Sequence, residues 1–443
     1  MSEDALPGYR GKLRDALEKA GTRIGDLIKV DTKKGVYEGI LMPRLEASDD
    51  WHLVLKLISG YNIGIAFENS VTISRLGQAE KPIFRPPPLP EVKRGLQKVS
   101  IVSTGGTIAS RVDYITGGVQ AAISSRDLFS IVPELSDIAV VDADILYSVF
   151  SENIEHGHWS GMVKRVADKI EGGAQGVVIT HGTDTMGYSS AALSFALRNL
   201  PVPVIFVGSQ RSSDRPSSDA ATNLIGAVTV AAHAPFAEVV LGMHETTSDT
   251  TIVYHRGTKV RKCHTSSRYA FQSVNSDPLA RLINGEVEML VEKFQERAER
   301  DLLIKDSFES KVALLKFHPN FDPEVIDWYV DSGYKGLILE GTGLGHVSTR
   351  LYKSLKRAEK EGLFLGMTSQ CIWGRINMNV YVTGRELQQF GVTPLEDMLP
   401  ETAFVKLMWS LGNSENLEST RRLMLTNIAG EYSERTLYAG GSS

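Results

Sequence analysis

Two short stretches of this 443-residue chain are built the same way. Val99–Val102 runs into Ser103–Ser110 (STGGTIAS), and Gly176–Ile179 runs into Thr180–Met186 (THGTDTM). Each apolar run reads as a buried strand. Each then meets glycine, which lets the backbone turn sharply and approach another group closely, and each turn presents a threonine hydroxyl. A strand that is apolar on both faces belongs in a parallel sheet covered on both sides. In such a sheet the loops that follow strands collect at one edge, where ligands bind. Thr107 and the pair Thr183–Asp184 are therefore expected to face one crevice. Two hydroxyls and a carboxylate in a crevice suit acyl transfer, with a base needed to activate a threonine.

The rest of the chain fits round these stretches. Tyr9–Ala20 has the pattern of a short amphipathic helix. Asp26–Val30, Val36–Met42, His52–Leu57, Tyr61–Ala66 and Val71–Leu76 read as strands with hairpin-length connections, which predicts a small β-barrel over residues 1–80. That barrel reads equally as a partner-docking module or as a structural appendage. Residues 81–98 (KPIFRPPPLPEVKRGLQK) are proline-rich and extended, an interdomain linker before they are an SH3 ligand. From Val99 onward strands alternate with helices, including Gly157–Glu171, Tyr188–Leu200 and Ala220–Ala232. This predicts a first α/β domain over 99–300 and a second over 311–433, with Asn275–Ser310 read as an irregular crossing.

Composition narrows the function. Forty-eight basic against 53 acidic residues give a formal charge of −5, so no basic excess advertises nucleic acid. Two distant cysteines, Cys263 and Cys371, argue against a disulfide framework or a zinc site. The charged N-terminus has no signal-peptide h-region, no apolar run is long enough to cross a membrane, and a cytoplasmic location is expected. No G-x-x-x-x-G-K-[ST] loop is present.

Two residues compete for the role of base. His181 sits at a strand end inside THGTD, where a structural role is favoured. Lys262, in GTKVRKCHTSSRYAF, could serve only if its surroundings favour the neutral amine, and its residues alone do not select it.

TGGTIAS, HGTDTM and the Lys262 segment together resemble the bacterial-type L-asparaginase/glutaminase family from about Val99 to about Gly412. The resemblance implies an amidohydrolase site with Thr107 as nucleophile and Thr183, Asp184 and Lys262 in support. The division of labour between the two threonines stays open. It further implies a mobile lid at Asp113–Gly118 with Tyr114, and substrate contacts from Ser151 and Glu152. Asp219 would stand where the Gly208–Asn223 loop enters a helix, and Gly341–His346 (GTGLGH) reads as a tight turn. Plain asparaginases begin near the TGGT strand, whereas here a barrel and a linker precede it. That arrangement resembles the glutaminase D subunits of archaeal glutamyl-tRNA(Gln) amidotransferases, ligases of carbon–nitrogen bonds with glutamine as amido donor. The likeness implies a glutaminase needing no cofactor, with ATP, magnesium and most Glu-tRNA(Gln) contacts on a partner E subunit. It also implies a homodimer core inside a heterotetramer of two D and two E subunits. The competing readings are a free-standing L-asparaginase with an accessory barrel, and a catalytically silent scaffold.

Overall fold

The computed structural model describes residues 4–44, 49–57, 62–68, 70–78, 95–106, 110–112, 119–121, 132–211 and 218–435. Helix α1 (Gly11–Lys19) is followed by strands β1 (Asp26–Thr32), β2 (Gly35–Leu41), β3 (His52–Leu57), β4 (Asn62–Ala66) and β5 (Thr72–Gln78). These lie within two residues of their predicted bounds. They form an antiparallel sheet in the order β4-β3-β2-β1-β5. Alternation sends Ile28, Val30, Leu41, Leu53 and Leu55 to one side, where Leu13 and Leu17 of α1 cover them. The Tyr9 hydroxyl ties helix to sheet by donating to the Met42 carbonyl at 2.8 Å and accepting from the Val54 N–H at 3.1 Å. Residues 79–94, most of the predicted linker, lie outside the described residues.

Strand β6 (Lys98–Ser103) opens the second part. A hairpin of β7 (Ser110–Val112) and β8 (Val119–Ala121) follows, then α2 (Leu135–Ile138), β9 (Val140–Ile145), α3 (His156–Glu171), β10 (Gly176–Thr180), α4 (Met186–Ala196), β11 (Leu197–Arg198), β12 (Val204–Val207), α5 (Ala220–His233) and β13 (Val239–His244). Strands β9, β6, β10, β12 and β13 are parallel neighbours in that order. Their apolar runs are buried from both sides. Val177 and Ile179 join the core under α3 and α4, while Val178 joins the one under α5.

The parallel core of this sheet ends at β13. Strands β14 (Thr251–Arg256), β17 (Ala280–Ile283) and β18 (Glu286–Met289) extend the same sheet antiparallel, while β15 (Val260–Lys262) and β16 (Phe271–Ser273) form a separate hairpin. Part of Asn275–Ser310, read as irregular, is thus ordered sheet. Its turn is Asn284–Gly285, with φ +51° and +85°, the left-handed pair that closes a two-residue hairpin. Further on, β19 (Leu303–Ile304) pairs with β11.

The second α/β unit is a parallel four-stranded sheet in sequential order: β20 (Val312–Lys316), β21 (Gly336–Gly341), β22 (Phe364–Ser369) and β23 (Val392–Pro394). Its helices are α6 (Glu324–Asp331), α7 (Tyr352–Lys360), α8 (Val382–Gln389), α9 (Pro400–Gly412) and α10 (Leu417–Leu425). Helix α9 joins the two units. Val405, Leu407 and Trp409 share one continuous core with Leu193 and Phe195 of α4, and the Phe195 and Trp409 rings stack at 5.9 Å.

Candidate active site

In parallel register Val102 pairs with Ile179 and Ser103 with Thr180, so the two turns leave the sheet side by side. Thr104 ties them together, its N–H and hydroxyl both donating to the Thr180 carbonyl at 3.0 and 2.9 Å. The glycines are required by this closeness. Gly105 and Gly106 have φ of +120° and +79°, and a Cβ on Gly106 would stand 2.8 Å from the Gly182 nitrogen. Gly182 in turn lies against Ser151, where a Cβ would stand 2.8 Å from the serine Cβ. Thr107, next after Gly106 in sequence, lies outside the described residues, as do Asp113–Gly118 with Tyr114.

On the other turn a triad is assembled. Lys262, the last residue of β15, donates from Nζ to Thr183 Oγ1 and to Asp184 Oδ1, both at 2.8 Å. The lysine side chain is 14% exposed and the aspartate 69%. The lysine is therefore largely covered by protein, while the aspartate side chain faces solvent. Thr185, at the start of α4, donates its hydroxyl to the Ser151 carbonyl at 2.6 Å. Asp184 thus precedes the amino end of a helix, where the helix dipole favours an anion. Ser151 is packed against the triad's loop, whereas Glu152 is exposed one residue further on.

His181 is buried behind the triad. The Trp159 indole N–H donates to Ser189 Oγ at 3.0 Å, which leaves the serine proton for His181 Nε2 at 2.9 Å. His181 Nδ1 then donates to the Gly182 carbonyl at 2.7 Å. Burial pushes its pKa down to about 4. The ring is neutral and both nitrogens are engaged within the protein, which fits a structural role. Asp219 is also fully buried. Its carboxylate accepts from the Gln210 and Arg211 N–H groups at 3.0 and 2.9 Å and from Asn223 Nδ2 at 3.0 Å. Asn223 Oδ1 meets His244 Nδ1 at 2.6 Å, and His244 Nε2 meets Asp249 Oδ1 at 2.9 Å. Arg268, on the loop that closes the lysine hairpin, donates to the same Asp249 oxygen at 2.6 Å. This polar chain from the Asp219 loop to the lysine hairpin has no signal in the sequence, because its members are scattered and carry no common spacing. Among the described residues no group of three or more His, Cys, Asp or Glu is placed to hold a metal, and no helix is long and apolar enough to cross a membrane.

Residues 98–295 match the family model "Asparaginase, N-terminal", and residues 311–424 match "Glutaminase/Asparaginase C-terminal domain". These matches and the geometry above define an asparaginase-type amidohydrolase fold. The solved L-asparaginase of Thermococcus kodakarensis superposes with a TM-score of 0.69 at 31% identity, covering 76% of this chain and 99% of that one. L-asparaginase I of Vibrio cholerae gives 0.67 at 27% identity, covering 76% of this chain and 99% of its own. Residues 22–76 match the "GatD N-terminal domain". The D subunit of the glutamyl-tRNA(Gln) amidotransferase of Metallosphaera sedula is 50% identical over 432 residues, 97% of each chain. That of Pyrococcus abyssi is 49% identical over 433 residues, 96% of this chain and 99% of the relative. The chain belongs to the family of glutamyl-tRNA(Gln) amidotransferase D subunits.

Proposed function

We propose that this chain is the glutaminase subunit of a glutamyl-tRNA(Gln) amidotransferase, hydrolysing glutamine to glutamate and ammonia. The observation that carries the reading is the extent of the likeness. D subunits match almost end to end, whereas the solved asparaginases leave about a quarter of the chain uncovered. The N-terminal sheet, matched by the GatD domain model, separates the two readings.

In the proposed mechanism Thr107 attacks the side-chain amide carbon of glutamine. Backbone N–H groups of the glycine turn stabilise the oxyanion, the proton of the Thr107 hydroxyl passes to the amide nitrogen, and the C–N bond breaks with release of ammonia. Lys262 activates Thr183, with which its Nζ shares a 2.8 Å hydrogen bond. Asp184 orients the lysine and receives the substrate's α-ammonium group, for which its exposure leaves room. Water then cleaves the acyl-threonine ester. Ser151, Glu152 and Tyr114 complete the substrate contacts. The reaction as written needs no cofactor on this chain. ATP and magnesium belong to the partner E subunit, which activates the glutamate of Glu-tRNA(Gln) and consumes the ammonia. A homodimer core carrying two E subunits completes the assembly.

The test is ammonia release from glutamine and from asparagine by the full chain alone, then with E subunit and Glu-tRNA(Gln). Glutamine turnover that rises with partner and tRNA is expected. Strong asparagine hydrolysis indifferent to both would replace this reading with a free-standing asparaginase.

A further inference from the structure

Lys262 reaches the first domain's turn from a hairpin whose base is fastened to the second domain. Strands β15 and β16 have three residues each, and a lone hairpin of that size is marginal in water. Its two ends are where it is held. At the entering end, the Thr258 hydroxyl donates to the Ala429 carbonyl at 2.9 Å, and the Thr258 carbonyl accepts from Thr402 Oγ1 at 2.8 Å. The next residue, Lys259, donates to Asp397 Oδ2 at 2.7 Å, with side chains 1% and 0% exposed. The other Asp397 oxygen accepts from the Ser433 N–H at 3.0 Å and lies 3.7 Å from Arg375.

The leaving end carries a second clasp. Asn275 has φ +59°, and its side chain pairs with the Gly374 backbone in both directions, donating to the carbonyl at 2.9 Å and accepting from the N–H at 2.8 Å. It also donates to the Asp397 carbonyl at 3.3 Å, while its own carbonyl accepts from Ser433 Oγ at 2.9 Å. The two ends are joined by the Val274 N–H, which donates to the Lys259 carbonyl at 2.8 Å. Both clasps therefore converge on the backbone and side chain of Asp397.

We propose that Lys259 and Asn275 are positioning residues that register the Lys262 hairpin against the second domain through Asp397, so that Lys262 meets Thr183 and Asp184 at bonding distance. Neither residue touches the triad. Only Val260 and Arg261 of the strand separate the anchored Lys259 from Lys262, so a shift at the base is carried almost undamped to the amine. A misplacement of about 1 Å costs about 100-fold in rate when a proton relay depends on it. The inference rests on the amidohydrolase reading above for its kinetic arm alone.

The experiment uses the full chain with Asn275→Gly and Lys259→Met. Asn275→Gly keeps the left-handed backbone and removes the side-chain clasp, so it folds even if Lys259→Met does not. The control is Leu355→Ala in the second domain's core, in a different apolar cluster from the hairpin's Val260, Ala270 and Phe271. Glutamine kcat and KM are measured well below each melting temperature, with hydrogen exchange over residues 260–273. The expected result for Asn275→Gly is a fall in kcat of about 10- to 100-fold, KM changed less than about 3-fold, and faster exchange over 260–273, none of it reproduced by Leu355→Ala. Unchanged kcat, or unchanged exchange over 260–273, overturns the proposal. A wild-type chain without amide turnover even in the presence of E subunit and Glu-tRNA(Gln) would sink the functional reading instead, and the exchange measurement would still decide whether the clasp holds the hairpin.

Discussion

Each α/β unit ends a central parallel strand in a glycine-containing turn, yet the turns after β10 and β21 are bonded in different ways. After β10 the chain presents Thr183 and Asp184, both bonded to a lysine that arrives from elsewhere. After β21 the corresponding segment, Thr342–His346, closes on itself. Thr342 and His346 exchange backbone hydrogen bonds at 2.8 and 3.0 Å, and the Thr342 hydroxyl donates to the His346 carbonyl at 3.2 Å. Gly345, at φ +100°, turns in against Met367, Ile376 and Met378. The carboxyl edge of a parallel sheet offers a place for a site. What sets the β10 turn apart is a third element, the β15–β16 hairpin, that brings a lysine to it from outside.

That contrast predicts a graded set of outcomes. Lys262→Met and Thr183→Ala should each lower amide hydrolysis by about 100- to 10,000-fold. Because they act as a unit, the double variant should fall no further than either alone. Independent, additive losses measured by steady-state kinetics would break the triad into separate contributions.

His181 tests whether the first turn is held by a neutral imidazole. Folded, its pKa is about 4; unfolded, it returns to the ordinary 6.5. Below pH 6.5 the unfolded chain binds a proton that the fold refuses. The stability is therefore intact above about 6.5 and drains away as the pH falls toward 4. At about 1.4 kcal/mol per unit this amounts to about 3 kcal/mol. Urea titrations at pH 7, 5.5 and 4.5 should show the gap between wild type and His181→Asn closing by about that amount; a pH-independent gap would refute it.

Asp184→Asn keeps the shape and removes the charge. Its loss should be smaller, about 10- to 100-fold, and divided between kcat and KM if the carboxylate also grips the substrate. At the bottom of the scale, Thr342→Ala removes an exposed side-chain bond in the second turn and should alter kcat by less than about 2-fold, with stability shifted by less than about 0.5 kcal/mol. A larger kinetic effect would mean that the second turn also belongs to a site.

The strand-and-turn pattern is the legible part of this molecule. Continuous apolar runs bounded by glycine locate β6 and β10, and the logic of a parallel sheet puts the two turns side by side. Lys262 is different. Nothing about one lysine among polar residues selects it, since its partners lie 78 and 79 residues away, and only the family resemblance points to it. Lys259 and Lys406 are illegible for a related reason. Both are buried, and polar-out patterning assigns lysine to the surface. Helix α9 conceals Lys406 within a core-facing stretch, where it donates to the Met424 and Thr426 carbonyls at 2.9 and 2.6 Å and pairs with Glu431. The β17–β18 hairpin, by contrast, has a readable signal in Asn284–Gly285, overshadowed by the charged residues around it.

The clasp at Asp397 also bears on how the protein is made. Thr258–Ala429, Lys259–Asp397 and Asn275–Ser433 span 171, 138 and 158 residues of sequence. During synthesis the threonine turns emerge early, and the sheet beneath them is complete long before its lysine has an anchor. Until Asp397 leaves the ribosome, Lys259 has no carboxylate to accompany it into the interior, and a buried unpaired charge is strongly disfavoured. The nascent chain therefore forms the threonine turns first, and the proposed role of Lys262 waits until residues 397–433 have closed over the hairpin.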